Sequence, residues 1–186
     1  KKYIPQASAF MTSSESFVEH YEKFTGIKPV VVTNAAYYHD MKPTEVDKNK
    51  IRLIHHGVAL SGRQIETMID TMKLLDDKYQ LHLMLTGKGS KYYDKLKKYA
   101  AKVKNVFFTD PVPYKQIVST INQYDIGFYI LPPTNFNNMY ALSNKFFEFV
   151  QARLCLVVSP NPEMVRLVKK YDLGMPSDDF TAESMA

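Results

Sequence analysis

The sequence predicts a doubly wound α/β fold, a parallel Rossmann-like sheet flanked by helices. From Ile51 onward, short apolar runs alternate with helical patterns five times without interruption. Strands joined by helices of about 10 to 15 residues require parallel pairing and right-handed crossovers. At 186 residues, with 45% hydrophobic and 13% aromatic content, the chain can also bury a full core.

Ahead of that alternation, Thr12 and Glu15 form a capping-box pattern for a helix ending near Gly26, and Pro29 to Thr33 reads as a strand without an evident partner. The polar stretch from His39 to Lys50 reads as a linker, so residues 1–50 are expected to be the tail of a preceding domain plus its connection. Ile51 to His56 is the first strand of the main domain, and Ile65, Met68, Ile69, Met72 and Leu75 then mark one helix face. Gln80 to Leu85 is the second strand. Asn105 to Phe108 leads to a helix around Tyr114 to Asn122, and Asp125 to Ile130 is a further strand. A polar loop from Leu131 to Leu142 precedes a helix for which Ser143 and Asn144 are cap candidates. The strand Leu154 to Val158, a helix near Glu163 to Lys170 and a short strand from Leu173-Gly174 complete the domain, taken as residues 51–175, with 176–186 beginning a further linker.

Between the second and third strands, Lys88 to Lys104 holds seven lysines (88, 91, 95, 97, 98, 102 and 104) against Asp94, which makes the net charge of +5 a local feature. Leu96, Tyr99, Ala100 and Val103 recur at helical spacing, so the lysines form the wet face of an amphipathic helix. Such a face can also rest on anionic lipid. Few aromatics interleave with the lysines and no nucleic-acid recognition motif is present, so no nucleic-acid partner is expected. The longest apolar runs are far shorter than the roughly 20 residues of a membrane helix, and no signal-peptide pattern opens the sequence. The single cysteine, Cys155, lies in an apolar run and reads as a core residue of a protein in a reducing compartment. A cytoplasmic chain, peripheral to the inner face of the membrane through the lysine helix, is the expectation.

In an open parallel sheet, ligands bind beyond the carboxyl ends of the strands. The loop Gly57-Val-Ala-Leu-Ser-Gly-Arg63 offers glycines for close backbone approach and Arg63 as a fork for a diphosphate. Thr109-Asp-Pro-Val-Pro113 is stiffened by two prolines and suits a slot whose backbone reads a base edge. Around Ser143 and Asn144 a helix start attracts phosphate, Lys145 adds a point charge, and Glu148 follows about one turn later, within reach of a ribose diol. No Gly-x-Gly-x-x-Gly follows the first strand, which argues against hydride transfer, and Gly87-Lys-Gly-Ser lacks Walker spacing. Metal binding is not expected, since His55 and His56 are adjacent on a strand and point to opposite faces.

From about Ile51 to Gly174 these residues resemble the donor-binding, C-terminal half of GT-B glycosyltransferases of the large group 1 family. The strongest part, Ser143 to Ser159, is similar to that family's Asn-Lys, two apolar residues, Glu, then Ala-Gly-x-Pro-Val-Val signature. The resemblance implies a glycosyltransferase that transfers a sugar from a UDP- or GDP-sugar to a glycan or lipid-linked acceptor, without metal or cofactor. It implies that Glu148 holds the ribose, that Ser143, Asn144 and Lys145 lie by the diphosphate, that Gly57 and Arg63 belong to the phosphate loop, and that Val112 reads the nucleobase. An N-terminal acceptor domain of the same chain is the implied partner, and without it the domain is expected to be inactive. The sequence departs from the pattern at Val58, where an arginine is usual; at Tyr140, where a paired glutamate would stand; and at Arg153, where glycine is customary. Those departures keep a second expectation open, a non-catalytic partner-binding module with a degenerate nucleotide site.

Overall fold

A computed structural model describes residues 3–186. In chain order the elements are β1 (Met11–Thr12), α1 (Glu15–Thr25), β2 (Val30–Val31), β3 (Ile51–Val58), α2 (Ile65–Leu74), β4 (Tyr79–Thr86), α3 (Lys91–Ala100) and β5 (Val106–Thr109), followed by α4 (Ile117–Ile121), β6 (Ile126–Tyr129), α5 (Phe136–Tyr140), α6 (Asn144–Gln151), β7 (Cys155–Val158), α7 (Pro162–Tyr171), β8 (Gly174–Pro176) and α8 (Ala182–Met185). Strands β3 to β8 form one sheet in the order β5-β4-β3-β6-β7-β8, and every pair is parallel. This is the doubly wound arrangement that the alternation of apolar runs implies.

Register within the sheet makes the crevice. Strand β3 pairs with β4 along its whole length, but with β6 only at Leu53↔Ile126 and Ile54↔Gly127. Beyond those residues β3 and β6 part toward their carboxyl ends, and the topological switch point lies between them. His55 bridges the widening gap, its ring Nδ1 lying 3.0 Å from the Phe128 carbonyl. The core on either side is apolar and tightly covered: Ile54, Leu81, Leu83, Phe128 and Leu156 of the strands are at most 1% exposed. On α2 the expected face of Ile65, Met68, Ile69 and Met72 is buried.

Four expectations need correction. The N-cap of α1 is Ser14 rather than Thr12, because Thr12 is drawn into β1; β1 pairs in parallel with β2, so the strand expected within Pro29 to Thr33 does have a partner. Ser14 does not cap through its side chain either, since its hydroxyl donates to the Tyr140 carbonyl at 3.1 Å. The polar loop 131–142 contains helix α5, capped by Asn135, whose side chain accepts from the Asn138 N–H at 2.8 Å. Phe136 and Tyr140, one turn apart, set their rings against Phe17 and His20 of α1. Cys155 is exposed rather than in the core, because it opens β7 at the end of the strand opposite the crevice. At the end of the chain described, α8 packs onto α2 and buries Met185.

The segment ahead of β3 is tied to the sheet domain at α1. Glu163 at the start of α7 is buried and accepts from the Ser16 N–H at 3.0 Å, the Ser16 hydroxyl at 2.7 Å and Arg166 at 2.9 Å. Burial opposes ionisation there, but the Arg166 and Ser16 hydrogen bonds prevail and hold the carboxyl below its ordinary 4.5. A carboxyl depressed in the folded state contributes stability above its unfolded pKa, and that contribution disappears as pH falls through the folded value. Glu163→Gln is therefore expected to cost about 2 kcal/mol near pH 7 and to flatten the acid limb below about pH 4.5. Urea midpoints measured across pH 3 to 7 check this, and parallel curves for the two proteins would contradict it.

Candidate functional site

The crevice is furnished by β3 and its following turn on one side and by the start of α6 on the other. Gly57 has φ of +131°, and a Cβ at that position would lie 2.6 Å from Lys145 Cε and 2.9 Å from Nζ. Glycine is required here so that the lysine can lie across the strand end. Lys145 Nζ also sits 5.4 Å from the centroid of the Tyr129 ring, at the end of β6. Burial and then the charge of Arg63 push the Lys145 pKa below 10.5, while Glu148 opposes them. The structure thus brings Lys145 against Gly57, with Arg63 near enough for its charge to disfavour the Lys145 ammonium.

The helix start is partly satisfied from within. Ser143 is the N-cap, and its hydroxyl accepts from the Lys145 N–H at 3.3 Å. Asn144 is exposed, and its side-chain oxygen accepts from Asn34 at 2.8 Å, so a residue between β2 and β3 reaches the α6 terminus.

Glu148 is 4% exposed and lies 3.1 Å, through Oε2, from His56 Nε2, without the alignment of a hydrogen bond. Glu148 lines a cavity of about 340 Å³, together with Ala36, Tyr37, Tyr38, His39, Tyr114, Lys115 and Val118. Val112 is half-buried against the core, two residues before the cavity-lining Tyr114. His55 is held neutral at pH 7, since burial, Lys145 and His56 push its pKa well below 6.5 against the Phe128 carbonyl.

Two features of the cavity escape sequence reasoning. Tyr37 and Tyr38, 77% and 74% exposed, line it from just ahead of the stretch His39 to Lys50 that reads as a linker. That segment is strapped to the end of α6: the His39 N–H donates to Gln151, and Arg153 donates to the carbonyls of His39 and Met41. Arg153 holds φ of +63°, the left-handed conformation that favours glycine, and its guanidinium uses that position as a clamp. Tyr140 packs its ring 4.4 Å from His20 and takes no part in the cavity. The expected lysine helix is α3, which ends at Ala100 and so carries Lys91, Lys95, Lys97 and Lys98 but not Lys88, Lys102 or Lys104; Lys95 pairs with Glu66 and Lys104 with Asp77, while Lys91, Lys97, Lys98 and Lys102 are exposed. Among the described residues, no group of His, Cys, Asp and Glu is arranged to hold a metal ion, and no helix is long and apolar enough to cross a membrane.

No family model and no curated protein matches the chain. Solved structures do. WaaG, a glycosyltransferase involved in lipopolysaccharide biosynthesis, aligns with a TM-score of 0.68 at 13% identity, over 94% of this chain and 50% of WaaG. TarM aligns with a TM-score of 0.72 at 11% identity, over 98% of this chain and 36% of TarM. The pneumococcal O-GlcNAc transferase GtfA, solved with UDP and GlcNAc, aligns with a TM-score of 0.61 at 15% identity, over 98% of this chain and 38% of GtfA. The likeness shows the fold, a Rossmann-like α/β unit like one found in these glycosyltransferases, and the chain spans half or less of the length of these structures.

Proposed function

We propose that the chain is the donor-binding half of a glycosyltransferase, taking a UDP- or GDP-sugar and delivering the sugar to a glycan or lipid-linked acceptor held by a second, N-terminal domain. The observation that carries this reading is the packing of Lys145 over Gly57 beside Arg63, at the point where β3 and β6 part. During transfer the acceptor oxygen bonds to the anomeric carbon as the bond from that carbon to the diphosphate breaks. Negative charge then develops on the leaving phosphate, where preorganised cations in a partly dry site act most strongly. Arg63 and Lys145 supply that charge, and the reaction in this proposal requires no metal ion. Asn144 and Ser143 lie beside the diphosphate, Glu148 receives the ribose, and the segment from Val112 to Lys115 flanks the base. That GtfA, similar to this chain in fold, was solved with UDP and GlcNAc supports a nucleotide of this class.

Titration of UDP and GDP into the chain tests the proposal: one saturable site is expected. Absence of binding by either nucleotide would favour the second reading, a partner-binding module with a degenerate site, to which the aromatic packing of Tyr140 in place of a carboxylate points.

The exposed lysines of α3 and the turn that follows it add a peripheral, cytoplasmic membrane contact to the proposal, since each lysine near an anionic surface contributes about 1 kcal/mol and the attraction is screened by salt. Lys98→Gln combined with Lys102→Gln is expected to weaken co-sedimentation with phosphatidylglycerol vesicles by about tenfold or more. Equal binding by the variant, or binding insensitive to salt, would contradict that contact.

A further inference from the structure

We propose that His56 is the positioning residue for Glu148, fixing the carboxylate so that it presents itself to the two hydroxyls of a ribose. The inference rests on reading Glu148 as the ribose ligand and adds a residue on a different strand to that reading. A carboxylate buried to 4% exposure needs a polar partner, because an isolated one is strongly destabilised. The neighbouring elements offer two: Lys145, one turn earlier on α6 and acting through its charge, and His56 on β3, whose Nε2 lies 3.1 Å from Oε2. Lys145 is committed across Gly57.

His56 is itself immobilised. It is 3% exposed, and its ring stands at 85° to Phe149 at a centroid distance of 5.4 Å. Its chain neighbour His55 is tied to the Phe128 carbonyl, so the strand beneath is fixed to β6. The imidazole therefore acts as a stop behind one carboxylate oxygen of Glu148, a residue that lines the cavity together with Tyr37 and Tyr38. Two adjacent hydroxyls can both donate to one carboxylate only when its plane is held in place, and supporting groups of this kind set that geometry.

The test compares UDP and GDP with their 2′-deoxy counterparts on the whole chain, with inorganic pyrophosphate as the control for the cation site. Wild type is expected to prefer the ribonucleotides by about tenfold, and Glu148→Ala to lose that preference. In His56→Leu the ratio is expected to fall close to one while pyrophosphate affinity is kept, and His56→Gln, which puts a polar group of similar reach behind Oε2, should recover part of it. Retention of the full preference by His56→Leu, with Glu148→Ala losing it, would overturn the inference and leave the ribose reading standing. A wild type without any preference would overturn both. Should leucine fail the pyrophosphate control, His56→Asn, polar but too short to reach Oε2, decides by the same ratio.

Discussion

Alanine at position 127 is expected to destabilise the chain by about 3 kcal/mol and to weaken nucleotide binding at the same time. Gly127 lies mid-sheet, paired with Ile54 on one side and Leu156 on the other. A Cβ there would stand 2.5 Å from Phe149 Cγ, 2.6 Å from Cδ2 and 2.9 Å from Cβ. Phe149 is fully buried at 0% exposure, so its ring has no empty space to enter, and the added methyl must lift α6 from the sheet. Because α6 also carries Lys145 and Glu148, a displacement of its axis separates the cation from Gly57 and the carboxylate from His56. The urea midpoint and the UDP and GDP dissociation constants should therefore both worsen. A change within about 0.5 kcal/mol, the range of an ordinary surface substitution, would show that the close seating of α6 is not needed.

Lys145→Ala is expected to leave folding largely intact and to weaken UDP or GDP affinity by about 10- to 100-fold, the range for a hydrogen bond to a charged group. The effect should depend on pH. Unliganded, the ammonium is disfavoured first by burial and then by Arg63, so its pKa lies below 10.5. A bound diphosphate favours the cation, which means that binding takes up a proton once pH exceeds the unliganded value. Affinity is then full below that value and falls as pH rises through the value of the complex; in Lys145→Ala this alkaline loss should vanish. Calorimetry in buffers of different ionisation heat reads the proton directly. Equal affinities for wild type and variant would remove Lys145 from the site.

Most of the sheet was legible because its strands are apolar runs and its helices keep a single buried face, both of which are local patterns. Elements held by distant partners were not. Helix α5 is built from asparagines and two rings, and it reads as a loop until Phe17 and His20, more than a hundred residues upstream, are placed beside Phe136 and Tyr140. β1 and β2 are two residues each, too short to carry a period, and exist through each other. Cys155 was misplaced because an apolar run says that a strand is buried without saying which end emerges.

The same division runs through the candidate site. Gly57, Arg63, Lys145 and Glu148 were identifiable because loops after strands and a helix start are sequence-local features. The contact between His56 and Glu148 spans 92 positions, and its only trace in the sequence is a histidine beside the glycine of the first loop. Tyr37 and Tyr38 gave no signal at all, since the clamp that roofs the cavity with them is Arg153, a residue whose chain position suggests only a departure from glycine.

A crystal structure of the chain soaked with UDP and with GDP tests the central claim most directly. The account predicts a diphosphate within hydrogen-bond distance of Lys145 Nζ and facing Arg63, with both ribose hydroxyls on the Glu148 carboxylate and the base beneath Tyr37 and Tyr38. A nucleotide bound elsewhere, or a Glu148 that keeps to His56 while the ribose lies outside the cavity, would contradict it.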